Sequence, residues 1–270
     1  MSMNQGRREF LKRIGRTAGA SIFGLSVLTG SSVAQQVDRD QHTICRGTTY
    51  ETEVYTIESP NEGNTVFLFG GVHGNERGGI EAAHLATEYT IDCGTLFIIP
   101  EANKPAVRRD NNHGPEGDLN RQFPIGSEPT TTVARGIWEE ILDADPDHLI
   151  DLHNATGIYG IDGIGQSIFP TTDAITTAAS TVEYMNTTHL PETGLLRNHD
   201  FHVGSAISEQ HPLLIHKAAA DQNISGWLVE VTRTDLDIAE MAFLHDMITW
   251  DLLGQIDIDV ISEPVYSNPL

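Results

Sequence analysis

The chain has 270 residues, with 38 Asp and Glu against 16 Lys and Arg, for a net charge of −22. That length suits one domain with a sizeable core, and 39% hydrophobic residues, 20% charged residues and 25 Gly exclude a coiled coil, a collagen and a wholly disordered chain. So strong a negative surplus also argues against nucleic acid or an anionic membrane surface as the main partner.

The N-terminus runs Gly6-Arg7-Arg8-Glu9-Phe10-Leu11-Lys12-Arg13, then a mildly apolar stretch from Ile14 to Leu28, then Gly30-Ser31-Ser32-Val33-Ala34. This order of basic, apolar and small residues resembles a twin-arginine export signal. Residues 1–34 are therefore expected to be a cleaved signal peptide and 35–270 a single catalytic domain, released to the exterior or the cell surface. The apolar stretch is diluted by Gly, Ser and Thr and falls short of the about 20 residues of a spanning helix, so stable membrane insertion is not expected.

Without residues 1–34, 11 basic and 37 acidic residues remain, a net charge of −26, and the only lysines are Lys104 and Lys217. Such a surface suits concentrated salt, where screening removes self-repulsion. Stability is expected to rise with salt; an unfolding midpoint that stays flat from low to molar salt would refute this. Cys45 and Cys93 fit either one disulfide or two separate buried thiols. Neither lies in a paired-Cys motif of the kind that holds structural zinc.

In chain order, alternation predicts a strand within 49–58, and the apolar run Thr65 to Phe69 predicts a buried one. Helical spacing of Ile80, Ala83, Leu85 and Ala86 predicts a helix over 76–89, followed by a buried strand over 94–99. The alternation continues with a helix over 130–142, a strand over 148–152, helices near 174–185 and 213–220, a strand over 227–231 and a helix over 237–253. This β-α succession predicts an α/β fold, a mainly parallel, mixed central sheet flanked by helices. The irregular stretches 101–128 and 190–210 are candidate walls of a site. Residues 255–270 suggest no element.

Four constellations carry chemistry. Gly70-Gly71-Val72-His73-Gly74-Asn75-Glu76 follows a buried strand, so His73 and Glu76 arrive together at a sheet edge. Ile150-Asp151-Leu152-His153-Asn154 closes another strand and brings His153 to the same edge. Two His and one carboxylate match the ligand shell of catalytic zinc, whose fourth position stays open. In Gly117-Asp118-Leu119-Asn120-Arg121-Gln122-Phe123-Pro124, Arg121 can clamp a carboxylate with help from Asn120, and Asp118 can orient a ligand imidazole from its outer nitrogen. In Trp227-Leu228-Val229-Glu230-Val231-Thr232-Arg233, Glu230 reads as a carboxylate in the middle of a buried strand, costly unless it works near a metal.

The order His73-x-x-Glu76, Asp118-Leu119-Asn120-Arg121, Asp151-Leu152-His153-Asn154, Glu230 resembles the succinylglutamate desuccinylase and aspartoacylase family of the zinc carboxypeptidase superfamily. The resemblance implies a hydrolase with one zinc per chain on His73, Glu76 and His153, Glu230 as general base, and Arg121 with Asn120 as anchor for a substrate carboxylate. It also implies a second Arg at the oxyanion, for which Arg109 is preferred over Arg108. The 40 residues after Glu230 leave no room for the C-terminal β-domain of aspartoacylases. Substrates implied are an N-acyl amino acid or related small amide, or a short peptide, bearing a carboxylate. The competing readings are a metallocarboxypeptidase and a zinc- or ligand-binding protein without catalysis.

Overall fold

The computed structural model describes residues 37–193, 197–206 and 211–262. The expected export signal lies outside them. Eight strands form one mixed sheet: β1 (Asp38–Ile44), β2 (Thr52–Glu58), β3 (Thr65–Phe69), β5 (Thr95–Ile99), β6 (His148–His153), β7 (Ser167–Pro170), β8 (His202–Val203) and β9 (Ser225–Glu230). Their order is β1-β2-β5-β3-β6-β9-β7-β8, and β4 (Thr90–Ile91) pairs separately with β10 (Val260–Ser262). The centre, β5-β3-β6-β9, is parallel, with antiparallel pairs β2–β5 and β7–β9 at its margins. Five longer helices flank it: α1 (Arg77–Ala86), α2 (Thr132–Ala144), α3 (Ile175–Tyr184), α4 (Leu214–Gln222) and α5 (Ile238–Gln255).

The sheet buries both faces, which is why its central strands read as continuous apolar runs. On one face Leu68, Ile150, Leu152, Trp227 and Val229 pack against Ala82 and Ala83 of α1, Ala178 of α3 and Ile248 of α5. On the other, Phe67, Phe69, Leu149 and Leu228 pack against Val133 and Ile137 of α2 and Leu214 and Ile215 of α4. Trp227 is fully buried and donates its indole N–H to Ala174 O at 3.2 Å, so its polar end is satisfied as well. The capping box of α5, Asp237 with Glu240, fixes where the last long helix starts.

The two lysines of the described chain are both engaged. Lys104 pairs with Glu53. Lys217 is buried, donates to Pro124 O at 3.1 Å and Ser127 O at 2.8 Å, pairs with Asp221, and lies 4.5 Å over the Trp138 ring. It fastens the chain beyond Arg121 to α4. The thiols of Cys45 and Cys93 are both free.

Two expectations need correction. Glu230 is the last residue of β9, not a mid-strand residue, and keeps partial exposure there. The tail that suggested no element contains β10, held by pairing to β4. In addition, a strand spans the polar stretch 38–44: β1 is largely exposed, and its ladder with β2 defines it.

Candidate active site

The site grows from the carboxyl ends of the parallel strands. Beyond Phe69, the chain turns through Gly70 and Gly71 and passes so close to the turn at Lys104–Val107 that a Cβ on Gly74 would lie 2.0 Å from the Ala106 carbonyl carbon. Glycine alone fits that approach. Glu76 occupies the N-cap position of α1 but makes no side-chain cap. Its carboxylate instead meets two imidazoles: Oε1 lies 2.9 Å from His73 Nδ1 and Oε2 lies 2.8 Å from His153 Nδ1. The ligand atoms of His73, Glu76 and His153 all fall within 4.8 Å of one another.

The outer nitrogens are engaged too. His73 Nε2 lies 3.0 Å from Asp118 Oδ1, and His153 Nε2 lies 3.0 Å from Oδ2 of the fully buried Asp151. The second contact is an ion pair without hydrogen-bond alignment. A carboxylate behind each of these imidazoles is the arrangement that orients histidines in metal sites and raises their basicity. Asp151 sits two residues before His153 on the same strand and hence on the same face. We expect Asp151→Asn to weaken metal affinity about 10- to 100-fold, read by chelator competition; unchanged affinity would show that Asp151 does not set the ring.

Asn154 ties this edge together. Its Oδ1 accepts from Gly79 N at 3.2 Å, its Nδ2 donates to Val231 O at 3.0 Å, and its backbone carbonyl accepts from Arg233 Nη2 at 3.0 Å. α1, β6 and the end of β9 are thereby locked in register around the ligands.

The electrostatics follow from crowding. Burial opposes charge on Glu76, yet the imidazoles of His153 and His73 overcome it and hold the carboxyl far below its usual range. Burial likewise works against the His153 imidazolium, but Asp151 and Glu76 raise its pKa well above the ordinary value. Glu230 goes the other way: burial, partly offset by His153, pushes its carboxyl up to about 8. Its Oε2 is sealed from solvent with no hydrogen-bond partner.

The donor set fits a divalent cation on chemistry alone. Two imidazoles and a carboxylate converge, two further carboxylates back the rings, and a third, Glu230, stands by with an unsatisfied oxygen. Arg233 adds a guanidinium with Nη2 3.6 Å from Glu76 Oε1 and a buried Nε that has no partner. The sequence reading assigned no role to Asp151 or Arg233. The alternation of Asp151 with His153 was a usable signal, whereas Arg233 arrives by the turn after β9.

The remaining predicted residues divide. Asn120 is buried, accepting from Leu214 N through Oδ1 at 3.0 Å and placing Nδ2 3.5 Å from His153 Nε2. Its amide thus joins the short turn Leu119–Arg121 to α4 and to the site. Arg121 is half exposed, its Nη1 donating to Asn120 O at 2.8 Å and lying 3.9 Å from Asp118 Oδ2. Arg109 is exposed after the Lys104–Val107 turn, where its charge acts on Tyr50. Among the described residues, it stands outside the hydrogen-bond network of the ligands. Arg108 is exposed on the same turn, acting on Glu101.

The family model of the succinylglutamate desuccinylase/aspartoacylase catalytic domain matches residues 62–212, more than half of the chain. The chain belongs to this family. The desuccinylase/aspartoacylase match spans His73, Glu76, the 118–121 turn and His153, and stops short of Glu230. No curated protein matches the sequence. Among solved structures, the tripeptide-bound cell shape determinant Csd4 of Helicobacter pylori superposes with a TM-score of 0.64 at 20% identity, covering 84% of this chain and 57% of that one. The chain thus spans little more than half of Csd4. A succinylglutamate desuccinylase/aspartoacylase of Rhodobacter sphaeroides gives 0.57 at 19% identity, covering 85% and 67%. A metallo-carboxypeptidase of Burkholderia cenocepacia gives 0.62 at 13% identity, covering 84% and 66%. These likenesses establish the zinc carboxypeptidase-like fold, and the family match is to a catalytic domain. No helix among the described residues is long and apolar enough to cross a membrane.

Proposed function

We propose that this chain is an exported, zinc-dependent amidohydrolase that cleaves an N-acyl amino acid or related small amide carrying a free carboxylate. The observation that carries the reading is the convergence of His73, Glu76 and His153 beside a partnerless Glu230. Zinc on those three ligands, one per chain, would polarise the scissile carbonyl and lower the pKa of the attacking water.

The rest is the work of the chain's own groups. Glu230, raised in pKa by burial, takes a proton from the attacking water and returns it to the leaving nitrogen. Arg121, half exposed and with one N–H held by Asn120 O, has others free to clamp a carboxylate. Arg233, with Nη2 3.6 Å from Glu76 Oε1, is the guanidinium at hand for the developing oxyanion, whereas Arg109 is exposed after the Lys104–Val107 turn. Asp118, Asp151 and Asn120 hold the imidazoles and the Arg121 turn in place. The basic N-terminal motif and the acidic surface support an extracellular or cell-surface location in concentrated salt.

The test is to assay metal-loaded protein on N-acyl amino acids and on peptides. Amine release from the former alone supports this reading. The fold likeness to the metallo-carboxypeptidase and to tripeptide-bound Csd4 favours a second reading, removal of C-terminal residues from peptides, which activity on peptides alone would establish. Hydrolysis of neither class would reject both and leave a binding protein.

A further inference from the structure

The strand ladder extends the active site in one direction. His153 pairs with Glu230, Glu230 with Ser167, and Ser167 with His202, so these four residues form one row across β6, β9, β7 and β8. Paired residues share a face and neighbouring strands lie about 4.8 Å apart, which puts His202 about 10 Å from Glu230 on the side away from His73. Stacked on His202 is Tyr159, with ring centroids 4.3 Å apart and planes within 15°.

Tyr159 belongs to the loop that follows His153, and this loop is unusual in what it exposes. Ile161 is 77% exposed, Ile164 47% and Tyr159 37%. Three large apolar side chains thus stand exposed within one short stretch of chain, a surface suited to contact. The loop is nonetheless tightly built. Ile158 O accepts from Ile161 N at 3.0 Å and Asp162 N at 3.2 Å, and Asp162 Oδ1 accepts from Ile158 N at 2.7 Å. Gly165 has a φ of +63°, and a Cβ there would lie 2.2 Å from Tyr159 N. Two bonds moor the loop just past the general base: Gly157 N to Thr234 Oγ1 at 3.1 Å and Thr232 Oγ1 to Gly157 O at 2.6 Å. Rigid backbone thus holds apolar side chains out beyond the end of β9, an arrangement that suits a ligand.

We propose that Tyr159, Ile161 and Ile164, with His202, form a subsite for an apolar acyl group. The inference rests on the hydrolase reading and deepens it. Arg121 and Asp118 lie on the His73 side of the row, and the apolar rim lies on the opposite side, with Glu230 between. A substrate whose carboxylate is held at Arg121 carries that carboxylate on its amine portion. What reaches across the scissile amide to Tyr159 is therefore the acyl portion. The substrate class is a medium-chain or aromatic N-acyl amino acid, rather than one with a short or charged acyl group such as acetyl or succinyl.

The experiment compares kcat/KM of zinc-loaded protein for N-acetyl, N-succinyl, N-octanoyl and N-benzoyl conjugates of glutamate, leucine and glycine. The octanoyl or benzoyl member should exceed the acetyl member about tenfold or more. In Tyr159→Ala, and independently in Ile161→Ser, that ratio should fall towards one, with the loss in KM. Ile161 is so exposed that its replacement tests the subsite even if Tyr159→Ala fails to fold. Preference for acetyl or succinyl conjugates, or an unchanged ratio in both variants, would overturn the subsite while leaving the hydrolase standing. Absence of hydrolysis for every conjugate would overturn the proposed function, and the subsite with it.

Discussion

Glu230→Gln is expected to lower kcat about 10²- to 10⁴-fold while the protein keeps its metal and its fold. The substitution preserves the shape of the side chain and removes only its ability to accept a proton. Because burial raises the Glu230 carboxyl to about 8, against an ordinary value of 4.5, folding disfavours its ionised form. A group whose folded pKa is raised contributes most stability below its unfolded pKa and loses it as pH rises through the folded one. In metal-free protein that window runs from 4.5 to about 8, and Glu230→Gln should be at least as stable as the parent above it. Loss of rate without loss of stability is thus the signature of a proton acceptor. A nearby cation pulls the Glu230 pKa down, so the acid limb of the kcat/KM profile should lie below pH 8 and vanish in the variant. A variant with parental kcat would remove Glu230 from the chemistry.

His153→Ala is expected to abolish stoichiometric metal binding, with elemental analysis falling from about one zinc per chain to background. His153 is 1% exposed and holds one oxygen of Glu76, so its loss removes a ligand and releases the carboxylate that the two imidazoles share. In the parent, metal must displace protons from imidazoles whose affinity for them is raised by carboxylates, Asp151 and Glu76 for His153 and Asp118 and Glu76 for His73. Affinity should consequently rise with pH, and calorimetry in buffers of different ionisation heat should show protons released on binding. Metal retained at full stoichiometry by His153→Ala would place the cation elsewhere.

The sequence disclosed most where physics left it few choices. Strands buried on both faces are largely apolar, so Val66 to Phe69, Leu149 to Ile150 and Trp227 to Val229 were readable as the sheet's centre. The same logic gave the site its edge, because residues that end parallel strands meet there. What escaped depends on partners rather than on pattern. β1 is polar and owes its shape to β2; β8 has two residues and exists through β7. The depth of Asn120, the exposure of Arg109 and the approach of Arg233 are products of how loops return, which spacing along the chain does not encode.

The disposition of the two lysines also bears on how this surface meets reactive chemistry. With Lys104 paired to Glu53 and Lys217 buried in α4, the described chain offers scarcely an uncommitted amine. Reducing sugars, aldehydes and active esters would find few places to attach, and proteases that cut after lysine would find both sites guarded. That is passive protection against covalent damage. Amine coupling would likewise find little to act on among the described residues.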